Sequence, residues 1–197
     1  MKTRNETTLF AGGCFWCTEA VFRRLKGVVS VIPGYSGGNP SAGGKKPSYE
    51  QVSSGTTGHA EVIQIKFDPK AISYDQLLEI FFKLHDPTTL NRQGADVGTQ
   101  YRSAIFYRNS EQKKLAENLI SRLEKSGTYQ SRIVTEVSPL KAFYPAEDYH
   151  KDYYEKNSAA PYCQVVIDPK IKKLYKEFSD QIKEGYKNRF YRSQNYQ

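Results

Sequence analysis

The chain has 197 residues, 38% of them hydrophobic, and its 29 Lys and Arg against 21 Asp and Glu give a formal charge of +8. That length is enough for one domain whose core needs no disulfide staples. No apolar run approaches the roughly 20 residues of a membrane helix, so no membrane-spanning helix is expected. Three Cys are too few, and odd in number, for a secreted disulfide scaffold. The expected compartment is therefore a reducing cytoplasm, where thiols are catalytic, metal-binding or inert.

Met1 to Glu6 carries charge with no apolar stretch behind it, so it does not read as a signal peptide. Thr7–Ala11 reads as a short strand, and Val21, Phe22 and Leu25 fall on one face of a helix. Between them lies Gly12-Gly13-Cys14-Phe15-Trp16-Cys17-Thr18-Glu19, with the only Trp and two of the three Cys. Two glycines let the chain turn sharply there. Cys14 then opens a helix, whose free N–H groups stabilise an anion and are expected to lower the thiol pKa. The bland alternative is an inert buried Cys beside a core Trp.

Val28–Ile32 is a β-branched strand, and residues 33–48, rich in Gly, Pro, Ser and Lys, read as a long loop carrying Tyr35. Val62–Phe67 alternates as a half-buried strand with Ile63, Ile65 and Phe67 inward. Glu61 has the same parity. It either points a carboxyl of raised pKa at the apolar side or turns to solvent where the strand frays. Ser73-Tyr74-Asp75-Gln76 is a capping-box pattern that opens a helix, which ends before His85-Asp86-Pro87. Residues 86–100 form a second polar loop, in which Asp96 could simply cap its own turn. Tyr101–Tyr107 is a strand. Ser110 is expected to cap a helix running to about Lys125, Ile133–Val137 to form a strand, and Ala146–Tyr154 a helix. Ile171, Leu174, Tyr175, Phe178 and Ile182 mark a final amphipathic helix. Residues 187–197 lack an apolar pattern and read as a mobile basic tail. With no internal repeat or linker, residues 1–197 read as one α+β domain with a mixed sheet and its site on the loops.

Cys14 and Cys17 have C-x-x-C spacing. A structural zinc site needs a second close ligand pair, which Cys163 and three scattered His do not supply. A general thiol–disulfide oxidoreductase fits the spacing but gives the two polar loops and Glu61 nothing to do. A third reading makes Cys14 a nucleophile toward an electrophile and Glu61 the donor that protonates the leaving oxygen. Cys17 or Cys163 then resolves the oxidised Cys14. A cysteine hydrolase would draw its base from His59, His85 or His150. The net charge also admits a basic nucleic-acid-binding module, although the Lys and Arg are dispersed.

At this point the residues resemble the peptide methionine sulfoxide reductase A family. Gly13–Glu19 is similar to its signature, Gly34-Tyr35-Ser36-Gly37-Gly38 to its tyrosine loop, and Thr57–Val62 to its acid-bearing strand. His85-Asp86-Pro87, Gly94–Ser103 and Ala146-Glu147-Asp148-Tyr149-His150 match further blocks, so the likeness covers about residues 7–163. The resemblance implies a two-layer α/β sandwich, ferredoxin-like at its core, with a long coiled C-terminal segment. It implies reduction of methionine S-sulfoxide, free or in proteins, through a Cys14 sulfenic acid and a disulfide that thioredoxin recycles. In that reading Glu61 is the proton donor, Tyr35 and Tyr101 lend hydroxyls, Phe15 and Trp16 wall the S-methyl group, and Asp96 orients or binds the polar part of the substrate. No metal or organic cofactor, nucleic acid or membrane is implied, and the protein is expected to be a monomer. The chain departs from the family where Cys17 replaces a common Gly or Ser, and where Ser53 replaces a common Cys. Pro161-Tyr162-Cys163 resembles the first of the C-terminal cysteine positions, but no further Cys follows. The resolving thiol stays open between Cys17 and Cys163, with Cys17 slightly ahead.

Overall fold

The computed structural model describes residues 5–38 and 46–187; residues 188–197, nearly all of the expected tail, lie outside that range. The chain runs β1 (Glu6–Gly12), α1 (Phe15–Phe22), β2 (Val28–Ser36), α2 (Tyr49–Ser53), β3 (Ala60–Phe67) and α3 (Tyr74–Leu84). A two-residue hairpin follows, β4 (Arg92–Gln93) and β5 (Asp96–Val97), then β6 (Ser103–Tyr107), α4 (Ser110–Lys125), β7 (Glu136–Pro139) and β8 (Phe143–Pro145). Short α5 (Tyr153–Lys156) and α6 (Asp168–Glu177) close it. Six strands form one sheet in the order β7-β6-β1-β3-β2-β8. The β6–β7 pair is parallel and the others are antiparallel, so the sheet is mixed. Its inner four strands come from two consecutive units, β1-α1-β2 and β3-α3-β6.

Alternation along the strands explains the layers. Phe10, Ile63, Ile65, Phe67 and Ile105 face a core shared with Val21, Phe22, Leu77, Leu78, Phe81, Leu119 and Leu174 from the helices. Their neighbours of opposite parity, Leu9, Ala11, Ala60, Val62, Ala104 and Phe106, pack against Leu140 and Phe143. Ser73 begins α3 with the reciprocal capping box its sequence predicts, and His85 leaves the helix in extended backbone.

Several local expectations shift. β2 does not stop at Ile32 but continues through Pro33-Gly34-Tyr35-Ser36, so Tyr35 is a strand residue and not a loop residue. The Pro33 carbonyl accepts the Ala146 N–H at 2.9 Å, and Gly34 and Tyr35 pair with Pro145 and Tyr144 of β8. A Cβ on Gly34 would meet the Phe143 ring and the Tyr144 carbonyl oxygen at 2.4 Å, so this close pairing requires glycine. The cap of α4 is Asn109, whose side chain accepts the Gln112 N–H, and not Ser110. The strand expected at 133–137 is Glu136–Pro139. The helix expected over 146–154 is broken by Asp152, which adopts left-handed backbone at φ 58°, and only four residues beyond it are helical. The last helix starts earlier than its apolar pattern, through a π-turn at Cys163–Ile167, and ends at Glu177. Among the described residues no helix is long and apolar enough to cross a membrane.

Candidate active site

The strand-to-helix turn forms where the sequence puts it. Gly13 sits at φ 88°, and a Cβ there would lie 2.5 Å from the Gln93 side chain, so both conformation and contact demand glycine. Gln93 in turn donates to the Asp86 carbonyl at 3.0 Å and accepts the Asp86 N–H at 3.1 Å. The hairpin that carries Asp96 is thereby fastened against the turn. Cys14 is the N-cap of α1 in extended backbone, with φ −54° and ψ 127°. It stands just outside the first helical turn and is only 6% exposed.

Glu61 lies at the end of β3, 2% exposed, on the same face as Ile63 and Ile65. The inward alternative is therefore the one realised. Its Oε2 accepts the Phe15 N–H at 2.9 Å. Phe15 opens α1, so a free N–H of the helix start serves Glu61. That bond lowers the carboxyl pKa, but burial outweighs it and pushes the group up to about 8. Glu61 is thus mostly protonated at pH 7. With Oε2 accepting from backbone, the proton belongs on Oε1.

The Cys14 thiol does not behave as its place at a helix start suggests. Burial pushes it well above the usual thiol range, its hydrogen bond to Cys17 adds to this, and Glu61 contributes charge. Cys17 is lowered, chiefly by the hydrogen bond from Cys14 and then by the Lys170 ammonium. Two facts offset the helix start: burial shuts water out of the site, and the Phe15 N–H is spent on Glu61.

The remaining predicted residues divide. Phe15 is buried and Trp16 half-buried, their rings 6.3 Å apart. The Trp16 ring stacks on Tyr153 at 3.6 Å with planes 6° apart, and its Nε1–H donates to His150 Nδ1 at 3.1 Å. Tyr101 is the last residue of a short 3-10 turn, Thr99–Tyr101. Its phenol is pushed upward first by burial and then by Glu61, Tyr49 and Cys14, which brings it into the site. Tyr35 is opposite Glu61 in the β2–β3 register but is fully buried, and its hydroxyl donates to Glu147 Oε2 at 2.8 Å. Tyr35 is thus part of the floor, and its hydroxyl is committed. Tyr49 is pushed up to about 12 by burial first and then by Glu61 and Cys14. Asp96 accepts the Tyr162 hydroxyl at 2.8 Å, and that hydroxyl lies 3.8 Å from Cys17 Sγ. Cys163 is fully buried; burial raises its pKa, followed by Asp168 and then Cys17.

Tyr49, Tyr162 and Glu147 are the residues that sequence reasoning missed. Glu147 ties three elements together: it accepts from Tyr35 Oη and from the Tyr49 N–H at 3.2 Å, and lies 3.9 Å from His150 Nε2. Its place in the Ala146–His150 block was the available signal. Tyr162 could have been found from its position beside Cys163. Among the described residues no histidine ring nitrogen bonds a thiol. His85 is held by the Phe81 carbonyl and Ser103 and lowered to about 4 by burial, and His150 faces Trp16. A histidine base for Cys14, as a hydrolase needs, is not assembled.

A buried thiol, a neutral buried carboxyl and two aromatic rings therefore meet at the start of α1. The family model for peptide methionine sulfoxide reductase matches residues 6–182. The chain belongs to that family. It is 57% identical over 178 residues to the peptide methionine sulfoxide reductase MsrA of Saccharolobus solfataricus, covering 90% of this chain and 97% of that one. Reduced Mxr1 from Saccharomyces cerevisiae superposes with a TM-score of 0.75 at 35% identity, covering 83% of this chain and 91% of Mxr1. Mxr1 in complex with Trx2 matches at 25% identity and a TM-score of 0.52, over 76% of this chain and 86% of that one.

Proposed function

We propose that this protein reduces the S diastereomer of methionine sulfoxide, free or within proteins, to methionine. The observation that carries the reading is a buried Glu61, protonated near neutral pH, beside the Cys14 thiol in a recess walled by Phe15 and Trp16. A substrate S-methyl group sits against those rings, and the sulfoxide oxygen points toward Glu61 Oε1. Cys14 sulfur attacks the sulfoxide sulfur while Glu61 protonates the oxygen. The oxygen passes to Cys14, methionine leaves, and Cys14 is a sulfenic acid. Tyr49 and Tyr101 hydrogen-bond the developing oxyanion, and Asp96 holds Tyr162 against the thiols and meets the polar part of the substrate.

Cys17 resolves the sulfenic acid. Its thiolate attacks Cys14 sulfur, the S–O bond breaks, and the departing hydroxide takes a proton to become water. Three features support Cys17: the thiols already share a hydrogen bond, Cys17 is the more acidic, and Cys14 lies outside the rigid helical turn. Cys163, nearest in charge terms to Cys17, then exchanges with the Cys14–Cys17 disulfide. A thioredoxin is the reductant, as the Mxr1–Trx2 complex of a relative supports. Residues 1–197 are read as one domain, which the span of the family match supports, and its work as cytoplasmic, in keeping with three cysteines left as free thiols. Its core is read as ferredoxin-like, which the antiparallel order β6-β1-β3-β2 over a βαββαβ sequence supports, and the stretch after β8 as the coiled C-terminal segment.

The test is a single turnover without recycling reductant. Each sulfoxide diastereomer is supplied in excess over the enzyme, methionine is quantified, and intact mass and disulfide mapping follow. About one methionine per enzyme from the S form only, with a Cys14–Cys17 bond, is expected. Equal reduction of the R form, or turnover by Cys14→Ser, would overturn the assignment.

A further inference from the structure

Glu19 is buried, 2% exposed, yet it takes no part in the chemistry above. It stands on α1 one turn after Trp16, so the two side chains share a face of the helix. Its carboxylate reaches a segment more than 130 residues away in sequence. Both oxygens accept the Asp152 N–H, at 3.0 and 3.1 Å, and the Tyr153 N–H also points at them. Asp152 is one of two non-glycine residues in left-handed backbone among those described. That conformation costs about 1–2 kcal/mol without a compensating contact, and the Glu19 bonds are what hold it. The next turn of α1 adds to the same clasp. Arg23 pairs with the Asp152 carboxylate, and Arg24 reaches Glu155 at 2.6 Å and lies over the Tyr154 ring.

The clasped segment delivers two groups to the recess. Tyr153 lies flat on Trp16, and His150 takes the Trp16 Nε1–H. Trp16 has no other side-chain hydrogen bond among the described residues. Its orientation therefore depends on where the 150–153 turn is held, and that is decided at Glu19. We infer that Glu19 is a positioning residue that sets the width of the methyl-binding recess by fixing the turn at Asp152, and with it the Trp16–Tyr153 stack. This rests on the proposed reading of the recess as a methyl site. Glu19 acts through Tyr153 and touches neither substrate nor thiol.

Trp16 is the only tryptophan in the chain, so its emission reports the stack directly. Glu19→Ala should shift that emission to the red and raise KM for methionine S-sulfoxide about tenfold. The single-turnover rate at saturation should stay within about threefold. Discrimination against the ethyl homologue, ethionine S-sulfoxide, should fall about tenfold, since one methylene in an apolar pocket is worth roughly 10–200-fold. Glu19→Gln, which keeps an acceptor, should restore most of the emission and the discrimination. Tyr153→Ala should reproduce the selectivity loss, and adding Glu19→Ala to it should change little further. If Glu19→Ala does not fold, Glu19→Asp, which withdraws the carboxylate by one methylene, is read in the same way. Wild-type emission together with wild-type methyl/ethyl discrimination in a folded Glu19→Ala or Glu19→Asp protein would overturn the inference. A wild-type enzyme that reduced neither sulfoxide would instead remove the proposed activity, and the emission would still decide whether Glu19 sets the stack.

Discussion

Glu61→Gln should make the protein more stable at alkaline pH while removing most of its activity. In the folded state burial raises the carboxyl from 4.5 to about 8. The sign follows from proton binding: between those values the folded state holds a proton that the unfolded chain has released. The stability contributed by this proton is fully present below 4.5 and is lost as pH rises through 8. The slope is about 1.4 kcal/mol per pH unit. Gln is nearly isosteric with protonated Glu, still accepts the Phe15 N–H and carries no titration, so the two proteins should match near pH 4.5. From pH 5 to 8 the variant should gain on the order of 3–4 kcal/mol over the wild type and then plateau. Because Glu19, His85 and the thiols titrate in both proteins, the difference isolates Glu61. Urea unfolding at half-unit pH steps measures it. Single-turnover methionine formation should meanwhile fall about 10²–10⁴-fold, the usual contribution of a positioned general acid. A stability difference that is flat from pH 5 to 8 would refute the buried, protonated carboxyl. Activity within about threefold of wild type would refute its role as donor.

The other expectations are narrower. Cys17→Ser should still release about one methionine per enzyme and leave a Cys14 sulfenic acid that a dione reagent traps. Cys163→Ser should form the Cys14–Cys17 disulfide normally and slow only its reduction by thioredoxin, as disulfide mapping and thioredoxin-coupled turnover will tell. Tyr49→Phe should slow methionine formation about tenfold or more. Tyr35→Phe should change the rate less than threefold but cost about 1–3 kcal/mol in urea melts, because Glu147 loses a buried donor. Gly13→Ala should cost at least about 2 kcal/mol in the same melts, since φ 88° is unfavourable to Ala and its Cβ would overlap Gln93.

What the sequence told about the site follows from how local each cause is. The parity of Glu61 was legible because a period-two strand puts it on the face of Ile63, Ile65 and Phe67, but parity leaves open whether a carboxyl at a strand end stays inward, and its burial decides that. The Cys14 turn was legible because only glycine tolerates the backbone and contact that Gly13 has. Tyr35 was misread for the opposite reason. Pro33-Gly34 is loop-like by composition, and what makes it a strand is pairing on both sides, with β3 and, more than 100 residues later, with β8. The helix expected at 146–154 failed through a contact just as distant, since the backbone of Asp152 is set by Glu19. The Cys14 pKa was misjudged because helix position is local and desolvation is not.

The raised pKa values of Cys14 and Glu61 are two results of one burial, and together they suit the chemistry. Net reduction turns a sulfoxide and two thiols into a sulfide, a disulfide and water, so both protons that reach the oxygen originate on thiols. Glu61 need only lend a proton to the oxygen and recover one from Cys14. A carboxyl of ordinary acidity would be ionised at neutral pH and have nothing to lend, and a Cys14 ionised at rest would have surrendered its proton to solvent. Holding both groups neutral until the sulfoxide arrives keeps the proton inside the recess. As the Cys14 sulfur attacks, Glu61 gives its proton to the oxygen and takes the Cys14 proton in return, so none is exchanged with solvent. On this argument kcat/KM for the wild type should hold level up to about pH 7 and fall as pH rises through about 8, where Glu61 loses the proton it lends. In Glu61→Gln the alkaline fall should vanish, because no second proton remains to be lost.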